Sequence, residues 1–288
     1  MSRKPIYILL AMLVLISMAC SLTVNLPVDN ITTGPAQTEE ISVKEPDASS
    51  VDLNLSFGAG ELNITPGAQG ALVQGTATYN VEQFKPQVKV EGQKITLSTG
   101  DLEIKGFPKF SNDIKNEWNL KLSAMPMSLT VSAGAYQGNY ELGGLSLKAL
   151  EISDGAAEST LKFSEPNKVD MESLRYTTGA SNVKLAGLGN ANFTSMIFRS
   201  GAGDYSLDFS GAWKREAVIT IESGISHVVI IMPKNVSARV YFKGGLANVD
   251  VKSGWKKSGD QYTLEGGSGP ALTINIDMGA GSLELQTE

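Results

Sequence analysis

His227 is the only histidine in this chain and Cys20 the only cysteine, so side-chain chemistry must rest mainly on carboxylates if it occurs at all. His227 lies in Ser226-His-Val-Val-Ile-Ile231, opposite in phase to Val228, Ile230 and Met232. On a strand that phase puts it on the outer face. Without a second histidine or a spare cysteine, neither a nucleophilic triad centred elsewhere nor a usual zinc site can be assembled. Asp204, Asp208 and Glu222 fall on neighbouring predicted strands, with Asp250 and Asp277 further along. The even spacing of Asp204 and Asp208 places both on one face with Ser206. Paired carboxylates can act as acid and base in glycoside cleavage or hold Ca²⁺. They are also the ordinary outward partners of inward Tyr205, Leu207 and Phe209, which is the expectation here: no catalytic, cofactor-binding or metal-ligating residue. Trp118, Trp213 and Trp255 could stack on sugars. Their separation in sequence points instead to core or cap anchors.

Cys20 has a different context. Arg3 and Lys4 give a positive start, and Ile6 to Ala19 is a 14-residue apolar stretch without a charge. Ser17 and Ala19 place small residues three and one positions before the cysteine. This pattern defines an export signal over residues 1–19, and the apolar run is short of the ~20 residues a spanning helix needs. The cysteine just after the cleavage site resembles the bacterial lipobox, with Ser17 where Leu is usual and Met18 where a small residue is usual. The resemblance implies lipidation of Cys20. Several acyl chains give stable anchoring where one does not.

The rest of the composition narrows the partners. The net charge is −6 and no basic residues cluster, which excludes nucleic acid as an expected partner. With its cysteine spent on lipid, the fold has no disulfide and must rest on an apolar core, which 42% hydrophobic residues can supply. Residues 20–49 hold Pro27, Pro35 and Pro46 among many Thr, Asp and Glu and read as a flexible tether. Ile41-Ser42-Val43 near its end could add a strand. From Val51 onward, short alternating segments follow one another, such as Val51/Leu53/Leu55 and Val88/Val90. Alternation marks half-buried strands, and helical spacing is nearly absent. Leu102 to Glu117, with Pro108, reads as a loop or a short helix across a sheet end.

From residue 128 a repeat emerges. Gly134, Gly155, Gly179, Gly201, Gly224 and Gly245 are 21, 24, 22, 23 and 21 residues apart, and each precedes an alternating strand. A period of this size built on one unit is that of a solenoid. Two strands per coil predict a flattened β-solenoid with a glycine at each corner, needed for φ > 0 or for close stacking on the next coil. The step from Gly245 to Gly279 is 34 residues. The extra stretch at 253–267 is predicted as a hairpin that leaves the stack or caps its end.

Several phrases, taken together, resemble the toast-rack proteins, a family of bacterial surface proteins related to adhesin-like domains and to the C-terminal domain of cell-wall-antibiotic-response regulators. They are Phe57-Gly-Ala-Gly-Glu-Leu62, Asn116-Glu-Trp-Asn-Leu120 leading to Met125-Pro126, Leu188-Gly-Asn-Ala-Asn192, Gly201-Ala-Gly-Asp-Tyr-Ser-Leu-Asp-Phe-Ser-Gly211 and Gly279-Ala-Gly-Ser-Leu-Glu-Leu285. The resemblance implies an all-β fold: a small toast-rack N-terminal β domain at 50–127, then a right-handed β-solenoid at 128–288. It supplies no catalytic residue. The expected role is a non-enzymatic adhesion or interaction scaffold, held at the extracytoplasmic face of the cell membrane through lipid on Cys20. Its expected contacts are envelope glycan, another surface protein or another cell. Two alternatives stand beside it: a sensor or regulator of envelope stress, and a polysaccharide-active enzyme.

Overall fold

Alternating apolar and polar residues dictate extended chain along almost the whole of the computed structural model, which describes residues 33–100, 114–267 and 269–288. Cys20 and most of the stretch at 102–117 lie outside these. Among the described residues, fifteen strands join in one sheet. Eight of them, among the described residues, run for 15 to 17 residues: β2 (Val51–Pro66), β7 (Met127–Glu141), β8 (Leu147–Lys162), β9 (Met171–Ala186), β10 (Phe193–Asp208), β11 (Ala217–Met232), β12 (Ser237–Val251) and β15 (Ala271–Thr287). They stack in parallel in the order β2-β7-β8-β9-β10-β11-β15-β12.

Each long strand bends at a central glycine. In β8 the residues facing inward are Leu150, Ile152 and Asp154 before the bend and Ala157, Ser159 and Leu161 after it. Gly155 and Ala156 between them both face out, and that pair shifts the alternation by one. The strands therefore keep one register on both sides of the corner, although the pairing skips the glycine itself. Each coil holds one long bent strand where the sequence pattern predicts two. The physical reason is close approach. A Cβ on Gly134, Gly179, Gly201, Gly224 or Gly279 would stand 2.3–2.7 Å from the carbonyl oxygen of the glycine on the adjacent strand, well inside van der Waals contact. Positive φ belongs instead to glycines two residues further on, Gly60 (129°), Gly203 (145°) and Gly281 (121°).

The stack does not follow chain order at its C-terminal end. β15 pairs with β11 on one side and β12 on the other, so Gly279 lies between Gly224 and Gly245. Burial explains the exchange. β15 directs Leu272, Ile274, Ile276, Met278, Leu283 and Leu285 inward, all 3% exposed or less. After its corner β12 offers only a weakly buried alternation, Ala247, Val249 and Val251, and such a strand tolerates the edge. The first half of β12 is covered by a hairpin of β13 (Trp255–Ser258) and β14 (Gln261–Leu264), paired antiparallel.

At the other end β2 forks. Its first half continues into β5 (Lys94–Thr99) and β4 (Pro86–Glu91), its second into β6 (Asn116–Leu122), β3 (Val73–Tyr79) and β1 (Gln37–Val43). Asn116 and Glu117 thus open a strand. Two of the phrases singled out in the sequence meet here. Phe57 and Trp118 pack edge to face with centroids 5.3 Å apart. A Cβ on Gly60 would stand 2.0 Å from the Asn116 carbonyl, and Asn116 Nδ2 donates to the Ala59 carbonyl at 2.7 Å.

Candidate functional site

Parallel register turns each outward position into a row running across the strands. One such row carries Asn119, Asn63 and Asn139, whose side-chain amides bond in series at 2.9 and 2.8 Å. The predicted carboxylates do not all share one such row. Asp204 and Asp208 lie beyond the corner of β10, whereas Glu222 lies before the corner of β11, so the fold separates them onto two faces. Asp208 is occupied locally, accepting from the Ser210 N–H at 2.8 Å and hydroxyl at 2.9 Å. Glu222 accepts from Arg199 Nε at 2.7 Å, and this bond lowers its pKa below the usual carboxylate range. Asp277 pairs with Lys243 at 2.7 Å. Asp250 pairs with Lys252 at 2.7 Å, which lowers the Asp250 pKa. Among the described residues, no three His, Cys, Asp or Glu side chains converge as metal ligands would.

His227 faces outward, as its phase requires, and it has a partner that its own strand could not reveal. Its Nδ1 lies 2.7 Å from Ser282 Oγ of β15. Asp204 stands beside it in register on β10. The row Asp204, His227, Ser282 thus unites the residue types of a nucleophilic triad, but not its geometry. A triad needs an acid on one ring nitrogen, the hydroxyl on the other and free N–H donors for the oxyanion. Here the hydroxyl takes Nδ1. Strands β10, β11 and β15 are paired through this row, which commits their amides to the ladder.

Inside the corner lies a polar cluster outside the candidate residues named from the sequence. Asp154 is 8% exposed. Its carboxylate accepts from Tyr176 Oη at 2.8 Å, from Tyr136 Oη at 3.4 Å and from the Thr178 hydroxyl. Thr178 Oγ1 also lies 2.5 Å from Ser181 Oγ, and Tyr140 donates to Tyr136 at 2.9 Å. Desolvation raises the Asp154 pKa against the opposing effect of these bonds. Burial likewise pushes Tyr136 up to about 12, and raises Tyr140 and Tyr176. The seam continues along the stack, with Ser200 donating to Ser223 at 2.8 Å and Ser223 sharing a bond with Ser226 at 2.6 Å. The signal was present: Asp154 is in phase with inward Leu150 and Ile152.

The tryptophans serve packing. Trp118 is fully buried. Trp213 packs against Phe193 and Phe209, and its Nε1 donates to the Phe209 carbonyl at 2.7 Å. Trp255 packs partly buried against the core.

A broad concavity lies elsewhere. A groove of about 960 Å³ crosses the first halves of β10, β11, β15 and β12 beside the β13–β14 turn. Its outward side chains include Thr220, Asn275 and Tyr241, with Asp260 and Gln261 at the turn. The Arg199–Glu222 and Lys243–Asp277 pairs form one row along it.

Residues 32–173 match the family model for the N-terminal domain of toast_rack. A crystal structure of a "putative cell adhesion protein" from Clostridium sporogenes ATCC 15579 is similar at 21% identity, with a TM-score of 0.50 over 88% of this chain and 100% of that one. At that identity it shows the shared fold alone. A "putative adhesin" from Bacteroides fragilis NCTC 9343 is similar at 11% identity, with a TM-score of 0.32 over 87% of this chain and 96% of that one. None of the curated proteins matches the chain.

Proposed function

We propose that this chain, which belongs to the toast-rack family through its residues 32–173, is a lipid-anchored surface protein whose β-solenoid acts as a non-enzymatic adhesion or interaction scaffold at the cell envelope. The observation that carries the reading is the state of the outward carboxylates. Asp208, Glu222, Asp250 and Asp277 are each engaged by a cation or a turn. General acid–base work needs a titrating group poised beside a partner in a partly desolvated site. Rows of satisfied polar groups on a rigid stack suit repeated weak contacts instead. The name of the Clostridium protein points the same way.

Attachment through Cys20 completes the reading. The apolar stretch at Ile6–Ala19 leads directly to Cys20 and is short of the ~20 residues a spanning helix needs. The test uses cells displaying the full chain. Mass spectrometry of the membrane fraction is expected to find acyl groups on Cys20, and deletion of the chain is expected to reduce attachment to other cells or to purified envelope material. Unmodified Cys20 would overturn the anchor. Unchanged attachment would overturn the scaffold.

A further inference from the structure

We propose that the groove lined by Tyr241 binds a neutral polysaccharide chain. The inference rests on the scaffold reading above and names a ligand class for it.

Size and openness come first. About 960 Å³ is at the upper end of small-ligand sites, ~300–1,000 Å³, and this groove is open along a sheet face rather than closed. A polymer can pass through it. Rows across the strands repeat at the ~4.8 Å strand spacing, a rise comparable with one ring of an extended sugar chain.

The lining chemistry selects the polymer. Tyr241 is 43% exposed, which is high for an aromatic ring on a folded surface. It offers a flat apolar face beside a polar tip, the arrangement that stacks on a sugar ring. Around it Thr220, Asn275 and Gln261 supply hydroxyl and amide groups that both donate and accept, as vicinal hydroxyls require.

Charge then excludes the competing classes. The two cations of the groove are already seated on carboxylates, Arg199 on Glu222 and Lys243 on Asp277, each at 2.7 Å. Asp260 adds a further carboxylate at the rim. A polyanion would meet more negative than positive charge and would have to break both pairs. A metal ion or polycation would compete with cations already in place. An uncharged, hydroxyl-rich chain can accept and donate without breaking either.

The test is calorimetric titration of the purified full chain, in detergent, with chitohexaose, cellohexaose and laminarihexaose, and with heparin as the polyanion. At least one neutral hexasaccharide is expected to bind. Tyr241→Ala is expected to weaken it about tenfold, the loss of one stacking contact, while Tyr241→Phe keeps most of the affinity. Asn275→Ala serves as a second variant, and Val218→Ala, exposed on β11 outside the groove, is expected to bind as wild type. Failure of all three sugars to bind, preference for heparin, or wild-type affinity in both Tyr241→Ala and Asn275→Ala would overturn the inference. Attachment of displaying cells is measured in parallel. If attachment persists while the sugars fail, the groove assignment falls and the scaffold stands. If the sugars bind through Tyr241 while attachment is unaffected by deleting the chain, the scaffold falls and the groove stands.

Discussion

The carbonyl oxygen of Gly155 lies 2.3 Å from the point where a Cβ on Gly179 would stand. Contacts of the same kind recur along the stack, but not equally: the corresponding distance is 2.6 Å for Gly201 on Gly179 and 3.3 Å for Gly155 on Gly134. The gradient makes a graded prediction. Gly179→Ala and Gly201→Ala force two strands apart at a point where both are held by ladder bonds on either side, a cost on the order of 1–3 kcal/mol. Gly155→Ala asks for a shift of only a few tenths of an ångström and should be milder. Thermal melts of the three variants should rank Gly155→Ala closest to wild type. Equal losses would mean that backbone freedom, rather than close approach, sets the glycine requirement.

That glycine period was legible because each corner leaves two successive residues outside, which the alternation records. The strand order at the end of the stack was not. Gly245 follows Gly224 by 21 residues, as a next coil would, and both β12 and β15 alternate. Which of them sits beside β11 depends on how well each tolerates an edge, a comparison that spacing does not contain. Because β15 takes the inner place, Ser282 comes to His227, a pairing invisible from either strand. The groove was hidden for the same reason, since Thr220 and Asn275 are neighbours only through that exchange. The polar cluster was readable from phase: Asp154 points with Leu150 and Ile152. A carboxylate inside a core runs against ordinary patterning, so the sign of a special position was there.

Asp154 leads to a pH prediction. Burial raises its folded-state pKa above the ordinary value, so the native state binds a proton more tightly than the unfolded chain does. The stabilising contribution of that proton is complete below the unfolded aspartate pKa and is lost as pH rises through the raised folded value. Asp154→Asn removes the titration while keeping the shape. Melts of both proteins across acidic to neutral pH should show the wild type losing ground to the variant as pH rises over that window. A constant difference would show that the carboxyl titrates alike in both states.

The 2.7 Å contact between His227 and Ser282 invites a test for nucleophilic chemistry, and the expected result is none. Activation of a serine needs the base to take its proton while free donors stabilise the oxyanion. In this row the main-chain amides belong to the ladder, and Asp204 orients no ring nitrogen. Turnover of p-nitrophenyl acetate should equal that of Ser282→Ala, with no acyl adduct on Ser282 by mass spectrometry. An adduct that disappears in His227→Gln would make this row an active site.

The last prediction concerns metal. Calcium takes 6–8 oxygen ligands, so a site needs several carboxylates and carbonyls turned toward one point. Asp204 is the outward carboxylate best placed to contribute, because Asp208 is held by Ser210 through both of its oxygens. The neighbours of Asp204 in its row are Asn182 and His227. The next carboxylate along it is Glu158, aligned with Asn182 on the far side. That is two strand spacings away, ~9.6 Å between backbones, with Asn182 between them, and among the described residues no third carboxylate joins the two. The surrounding carbonyls are engaged in the parallel ladder and cannot turn outward without breaking it. The melting temperature of the full chain should therefore be the same with a chelator, with added calcium and with neither. A drop on chelation that is absent in Asp204→Asn would show that this row gathers ligands after all, and would return the carboxylates of β10 to the centre of the function.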